Sequence, residues 1–166
     1  MVIERSLVMI KPDGVSKHAI GDIISRFEKA GLKVIGLKMI FMDKKEAQGF
    51  YIVHKGRPFY DDLTNFMSSG PTVAIVLEGE GAIEKIRNMM GPTDSRKASK
   101  GTIRGDWGTD VEKNAVHGSD SKESASFEIP YFFNRLELFW LSNMERTVNL
   151  LTIILYWFVK ISNYNF

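Results

Sequence analysis

From Pro71 to Leu77 the chain reads Pro-Thr-Val-Ala-Ile-Val-Leu, a short apolar run rich in β-branched residues. Such side chains pack well on a pleated, buried surface, so the run predicts a central strand. Two further runs have strand length: Ile3 to Ile10, ended by the turn signals Pro12-Asp13-Gly14, and Leu32 to Met42, with Val34 and Ile35 inside it. Between these two, Ile20, Ile23, Ile24 and Phe27 recur at i, i+3, i+4 and i+7, which predicts a helix capped by Ser16 and ended at Gly31. Asp43-Lys44-Lys45-Glu46 reads as a capping box opening a helix over 43–53. Gly56-Arg57-Pro58 then breaks the chain before a shorter helix near 59–68. Ile83, Ile86 and Met90 share one face of a helix at about 80–90. Residues 91–113 are rich in Gly, Ser, Asp and Lys and read as a long loop of the functional kind. A brief strand at 114–117 and a short helix at 121–128 follow. The order β-α-β-β-α-β predicts an α+β class protein: a ferredoxin-like antiparallel sheet with helices on one face.

The 166 residues, 44% of them hydrophobic, describe one compact domain and exclude a disordered chain. No repeat of 20–50 residues marks a solenoid. A net charge of +2 is too small for a general nucleic-acid coat, so basic chemistry must be local. The absence of cysteine removes disulfides, thiolate catalysis and Cys-type zinc sites, and it suits a reducing, cytoplasmic setting. Met1 to Arg5 lacks the basic start and long apolar run of a secretory leader. Thr147 to Val159 gives 13 residues without charge, which as a helix would rise about 20 Å and fall short of a bilayer core.

The densest polar stretch is Asn114-Ala-Val-His117-Gly118-Ser119-Asp120-Ser121, with Glu128 seven residues on. It holds the parts of an activated imidazole: a nucleophile beside glycine, and hydroxyl and carboxylate groups to fix the ring. His117, Asp120 and Glu128 also suit a divalent ion, although their spacing matches no strong ligand pattern. His18 and His54, with nothing cooperative around them, read as structural or solvated. Lys11, Arg57, Arg87 and Arg104 stand at strand ends and on glycine-flanked loops, where several cations converging on one polyanion would recognise phosphate. No Gly-x4-Gly-Lys-Ser/Thr pattern occurs, and Gly79-Glu-Gly81-Ala-Ile-Glu84 fails the dinucleotide fingerprint at its third glycine. A phosphate enzyme built this way works without a P-loop. Phe59, after Arg57-Pro58, is placed to stack on a nucleobase.

The string from Asn114 to Ser121 resembles the active-site signature of nucleoside diphosphate kinases. Ile10-Lys11-Pro12-Asp13-Gly14-Val15, Arg57-Pro58-Phe59, Ser69-Gly70-Pro71 and Gly101-Thr-Ile-Arg104-Gly-Asp106 resemble four further motifs of that family, in its order, over residues 1 to about 138. The resemblance implies transfer of a terminal phosphate between nucleotides by a ping-pong route through a phosphohistidine. By similarity, His117 is the nucleophile, acting through Nδ1. Glu128 and Ser119 orient it, and the Gly118 carbonyl fixes the other ring nitrogen's proton. Lys11, Tyr51 and Asn114 sit beside the reacting phosphate and the ribose; Arg87, Thr93 and Arg104 hold phosphates; Phe59 and Val111 flank the base. Mg2+ rides on the nucleotide phosphates with no direct protein ligand. A non-catalytic nucleotide-binding or nucleic-acid-binding regulator is the alternative: the first would be expected to lack His117 or Glu128, which are both present, and the second would show salt-steep DNA affinity without acid-labile phosphorylation.

Family members assemble as homo-oligomers, which implies a hexamer here in preference to a tetramer. The chain departs from its relatives in two places. Thr93 to Gly101 lacks the prolines usual there, which predicts a more mobile phosphate loop. Residues 139–166 hold 17 apolar residues of 28 and only Glu145, Arg146 and Lys160 as charges. They read as an apolar extension to a 1–138 kinase-like domain, a helix packed between protomers in preference to one lying on a membrane or to a poorly ordered extension.

Overall fold

The computed structural model describes residues 2–139. Its strands are β1 (Ile3–Ile10), β2 (Lys33–Ile40), β3 (Thr72–Glu80) and β4 (Val116–Gly118), in sheet order β2-β3-β1-β4 with every pairing antiparallel. The helices are α1 (Pro12–Ser16), α2 (Ile20–Lys29), α3 (Lys44–Phe50), α4 (Tyr60–Met67), α5 (Ala82–Met90), α6 (Ile103–Trp107) and α7 (Lys122–Phe132). The ferredoxin-like α+β architecture is therefore present, with α3 and α4 inserted between β2 and β3.

Helices cover both faces of the sheet, where one face was expected. Alternation along β1 and β3 sends Val8, Ile10, Val73, Ile75 and Leu77 to one side, against Ile23 and Phe27 of α2 and Ile86 and Met90 of α5. Leu7, Met9, Ala74 and Val76 point the other way, onto Ala47 and Phe50 of α3, Met67 of α4, and Ala125 and Ile129 of α7. The insertion and the last helix supply the second layer. This two-sided cover is why the strands read as continuous apolar runs instead of alternating ones.

Local chemistry explains most boundaries. The Asp43 carboxylate accepts from the Glu46 amide and the Glu46 side chain from the Asp43 amide, so the capping box at α3 forms as predicted. Several boundaries differ. Ser16 does not cap α2; its hydroxyl donates to the Asp13 carbonyl at 2.9 Å and closes α1, a helix the Pro-Asp-Gly turn signal concealed. Proline at the first helical turn lacks a hydrogen that had no partner anyway. His18, at φ 57°, turns the chain into α2, whose cap residue Ala19 offers no side-chain bond. Second, the expected loop 91–113 contains α6, capped by the Thr102 hydroxyl accepting from the Gly105 amide. The final helix also runs past 128 to Phe132. Apart from Phe139, the apolar helix expected over 139–166 lies outside the described residues. Among those described, no helix is long and apolar enough to cross a membrane.

Candidate active site

β4 is a three-residue edge strand, and its register pairs Met9 with His117 and Ile10 with Val116. Alternation buries Val116 in the core beneath α2 and α5, so His117 turns to the opposite face, where α7 arrives. There Nε2 of His117 lies 3.1 Å from Oε1 of Glu128. The other carboxylate oxygen accepts from the Ser119 hydroxyl at 2.6 Å, and that hydroxyl in turn accepts from the Leu7 amide at 3.1 Å. Ser119 is fully buried, so it reaches the imidazole only through Glu128. With the Nε2 hydrogen directed at a carboxylate, Nδ1 is the basic nitrogen, and no described residue bonds it. Phe50 and Tyr51 meet the ring edge-on at 5.4 and 5.9 Å and set its plane. The Gly118 carbonyl does not hold the second nitrogen. It faces Nη1 of Arg87 at 3.5 Å, while α7 brings Glu128 to that side of the ring.

A cleft of about 740 Å³ opens over this imidazole. Lys11, Tyr51, Phe59, Arg87, Thr93, Arg104, Val111, Asn114, His117 and Glu128 all line it. Lys11 follows β1 and is almost wholly buried. Its ammonium donates to the Glu112 carbonyl at 2.6 Å and to Oδ1 of Asn114 at 2.8 Å. Asn114 ties the far wall together, donating to the carbonyls of Thr93 and Val111 at 3.0 Å each. Burial lowers Lys11 from 10.5 to about 8, against the charge of Asp13 and helped by that of Arg104. Arg104 of α6 donates to the carbonyls of Gly91 and Val116 at 2.9 and 3.0 Å. Its buried Nε has no partner, and burial followed by repulsion from Arg87 lowers it to about 10. Neither Arg87 nor Arg104 has an ion pair among the described residues. Their positive field is left for an incoming anion.

The Tyr51 hydroxyl is buried without a partner, and desolvation with the Glu128 charge pushes its ionisation up, so it remains a neutral donor. At the mouth Phe59 and Val111 are 50% and 55% exposed, two apolar surfaces facing solvent. His54, read from sequence as structural, also lines the cleft, stacked on Tyr51 at 6.2 Å and edge-on to Phe59 at 5.4 Å. The spacing Tyr51-x-x-His54 on a helical turn just before Phe59 was the available signal. Arg57 does not join the cleft: it sits exposed on the turn ahead of α4. Asp62, Glu112, Asp120 and Glu128 are the carboxylates of the lining, and among the described residues no three acidic or imidazole groups gather closely enough to hold a metal ion.

The nucleoside diphosphate kinase family model matches residues 4–138. The chain belongs to that family. It is 59% identical over 133 residues to the nucleoside diphosphate kinase of Anaeromyxobacter sp. strain Fw109-5, covering 80% of this chain and 91% of the relative. Nucleoside diphosphate kinase 2 of Protochlamydia amoebophila is 56% identical over 133 residues, 80% and 93% of the two chains. Among solved structures, the Aquifex aeolicus enzyme superposes with a TM-score of 0.81 at 48% identity, covering 82% of this chain and 99% of its own. The Halobacterium salinarum enzyme in complex with CDP gives 0.81 at 43% identity, with 89% and 99% covered. This nucleoside diphosphate kinase family member thus carries the family's sheet, and Lys11, Phe59, Arg104 and His117, from motifs separated along its sequence, meet at one cleft, whereas Ser69-Gly70-Pro71 borders a neighbouring groove.

Proposed function

We propose that this enzyme transfers the γ-phosphate of a nucleoside triphosphate to a nucleoside diphosphate through a phosphohistidine on His117. One observation carries the reading: the Nε2 side of the ring is tied to Glu128 while unbonded Nδ1 belongs to a ring lining a cleft with Lys11, Arg87 and Arg104. In the first half-reaction Nδ1 attacks the γ-phosphorus, the bond to the bridging oxygen breaks, and the nucleoside diphosphate leaves with that electron pair. In the second, a terminal oxygen of another diphosphate attacks the phosphohistidine and the ring leaves as neutral imidazole. The Nε2 proton stays on the ring throughout, held by Glu128, so no separate base is needed. A loose phosphoryl transition state spreads charge over its equatorial oxygens, and preorganised cations stabilise that charge without solvent rearrangement.

Arg87, Arg104 and Thr93 hold the phosphates in this reading, Lys11, Tyr51 and Asn114 stand by the transferred group and the ribose, and the base lies between Phe59 and Val111. Stacking without edge recognition tolerates purines and pyrimidines alike. Mg2+ would be carried in on the nucleotide, where it would neutralise phosphate charge, and no residue of this chain is assigned as its direct ligand. The donor set supports this, because Glu128 is already engaged by Ser119 and His117. We place the catalytic unit in residues 1–138 and the enzyme in the cytoplasm. We also take it to be a homo-oligomer, a hexamer in preference to a tetramer; the exposed apolar row of Leu37 and Met39 on edge strand β2 and Phe41 just after it supports assembly.

Mixing the protein with a nucleoside triphosphate should add the mass of one PO3 group, acid-labile and located on His117. The His117→Gln variant should show neither the adduct nor transfer. A wild-type protein that stays unmodified overturns the reading.

A further inference from the structure

We propose that Asp13, which does not line the cleft, is a positioning residue that holds the strained turn between Lys11 and His117; this rests on the phosphotransfer reading above. Ala115 has φ 65°, in the left-handed region that residues with a Cβ seldom occupy. Its neighbours close a three-residue turn around it, the Val116 amide donating to the Asn114 carbonyl at 2.8 Å. That geometry is rare and strained, so something must hold it. Both polar backbone groups of Ala115 bond to one segment. Its amide donates to Oδ2 of Asp13 at 2.9 Å, and its carbonyl accepts from the Lys11 amide at 2.9 Å.

The segment and the turn are also in direct contact. A Cβ on Gly14 would lie 2.8 Å from the Ala115 carbonyl oxygen, so nothing larger fits between α1 and the strained residue. On one side of Ala115 stands Asn114, whose Oδ1 holds the Lys11 ammonium at 2.8 Å. Two residues on is His117. A relaxation of φ at Ala115 therefore moves an amide that grips Lys11 in one direction and the nucleophile in the other. Asp13 is 8% exposed, borders a neighbouring groove together with Pro12, Val15 and Ser16 of α1, and keeps its second oxygen, Oδ1, buried without a partner. A carboxylate buried in this way is costly to keep, and Ala115 with the nearby Lys11 charge are what it serves. The charged groups facing Lys11 are Asp13, Arg104, Glu112 and Asp110.

Three variants and two readouts test this. In Asp13→Ala the acceptor is gone, and kcat should fall roughly tenfold or more with KM for the nucleotide changed less than about twofold. Asp13→Asn keeps an acceptor for the Ala115 amide and should recover most of kcat. Its alkaline limb should move to lower pH, because the Lys11 ammonium loses a neighbouring negative charge. Adding Ala115→Gly to Asp13→Ala, which removes the penalty of the left-handed turn, should restore kcat at least about threefold. Independently of activity, amide hydrogen exchange at 114–117 should quicken at least about tenfold in Asp13→Ala. Unchanged exchange there, or unchanged kcat, overturns the proposal. If Asp13→Ala fails to fold, an Asp13→Asn limb that coincides with the wild-type one overturns it instead. A wild-type chain without transfer overturns the phosphotransfer reading and leaves the exchange result to decide this one.

Discussion

His117, Glu128 and Ser119 form a chain in which each member fixes the next, and the order of dependence predicts the size of each loss. Removing the Ser119 hydroxyl leaves Oε2 of Glu128 and the Leu7 amide unsatisfied in a buried place. Hydrogen bonds to charged groups contribute about 1.5–3 kcal/mol, so Ser119→Ala should lower kcat about ten- to a hundredfold. The phosphohistidine should still form, only more slowly, as quench-flow of the first half-reaction would show. Lys11 makes a second prediction. Its folded value of about 8 lies below its unfolded value of 10.5. Between these limits the unfolded chain binds more protons, so the Lys11 contribution to stability rises with pH. On the proposed role of the Lys11 ammonium beside the transferred phosphate, kcat/KM should fall as pH rises through about 8. A rate that falls while the melting temperature is held or raised marks this lysine. The two falling together would rule it out.

At the scale of elements, β4 and α6 place the chemistry, and neither is stable by itself. β4 spans three residues and among the described residues pairs with β1 alone; α6 spans five. α6 is moored from outside: Asp106 takes an ion pair from Arg26 of α2 at 2.7 Å, and the Trp107 indole donates to Asp22 at 2.7 Å. Within the segment, Asp94 accepts from its neighbour Arg96 at 2.8 Å, an exposed pair of little stabilising value. Arg104 has two carbonyl partners and no anion, so a bound phosphate would add the missing restraint. ADP with Mg2+ should therefore slow hydrogen exchange across residues 92–106. Identical exchange with and without nucleotide would show that the segment is already rigid.

For the whole molecule, the order β2-β3-β1-β4 puts His117 on one edge and leaves the other edge with Leu37 and Met39 of β2, and Phe41 just beyond it, exposed. His117 and this exposed apolar row thus lie at opposite ends of one sheet. The described chain closes on that sheet too, with the Phe139 amide donating to the Ile35 carbonyl at 2.7 Å. A chain ended after Phe139 keeps every cleft contact made among the described residues, so its kcat should stay within about twofold of the full protein. Light scattering on the same protein tests the extension. A smaller assembly would assign residues 140–166 to contacts between protomers.

Much of this was legible without coordinates. Short apolar runs, the 3.6-residue period of α2 and α5, and the Asp43 capping box are local signals, because backbone propensity, amphipathic period and side-chain caps act within a few residues. The string around His117 belongs to the same class, being contiguous. What only the tertiary structure decided depends on contacts far apart in the chain: the second layer of helices, α6 inside an apparent loop, His54 in the cleft, Arg57 outside it, Glu128 in place of Gly118 beside the ring. Asp13 and Ala115 are 102 positions apart and meet at 2.9 Å. No period or propensity encodes such a meeting, since it exists only once the sheet has brought the end of β1 against the start of β4.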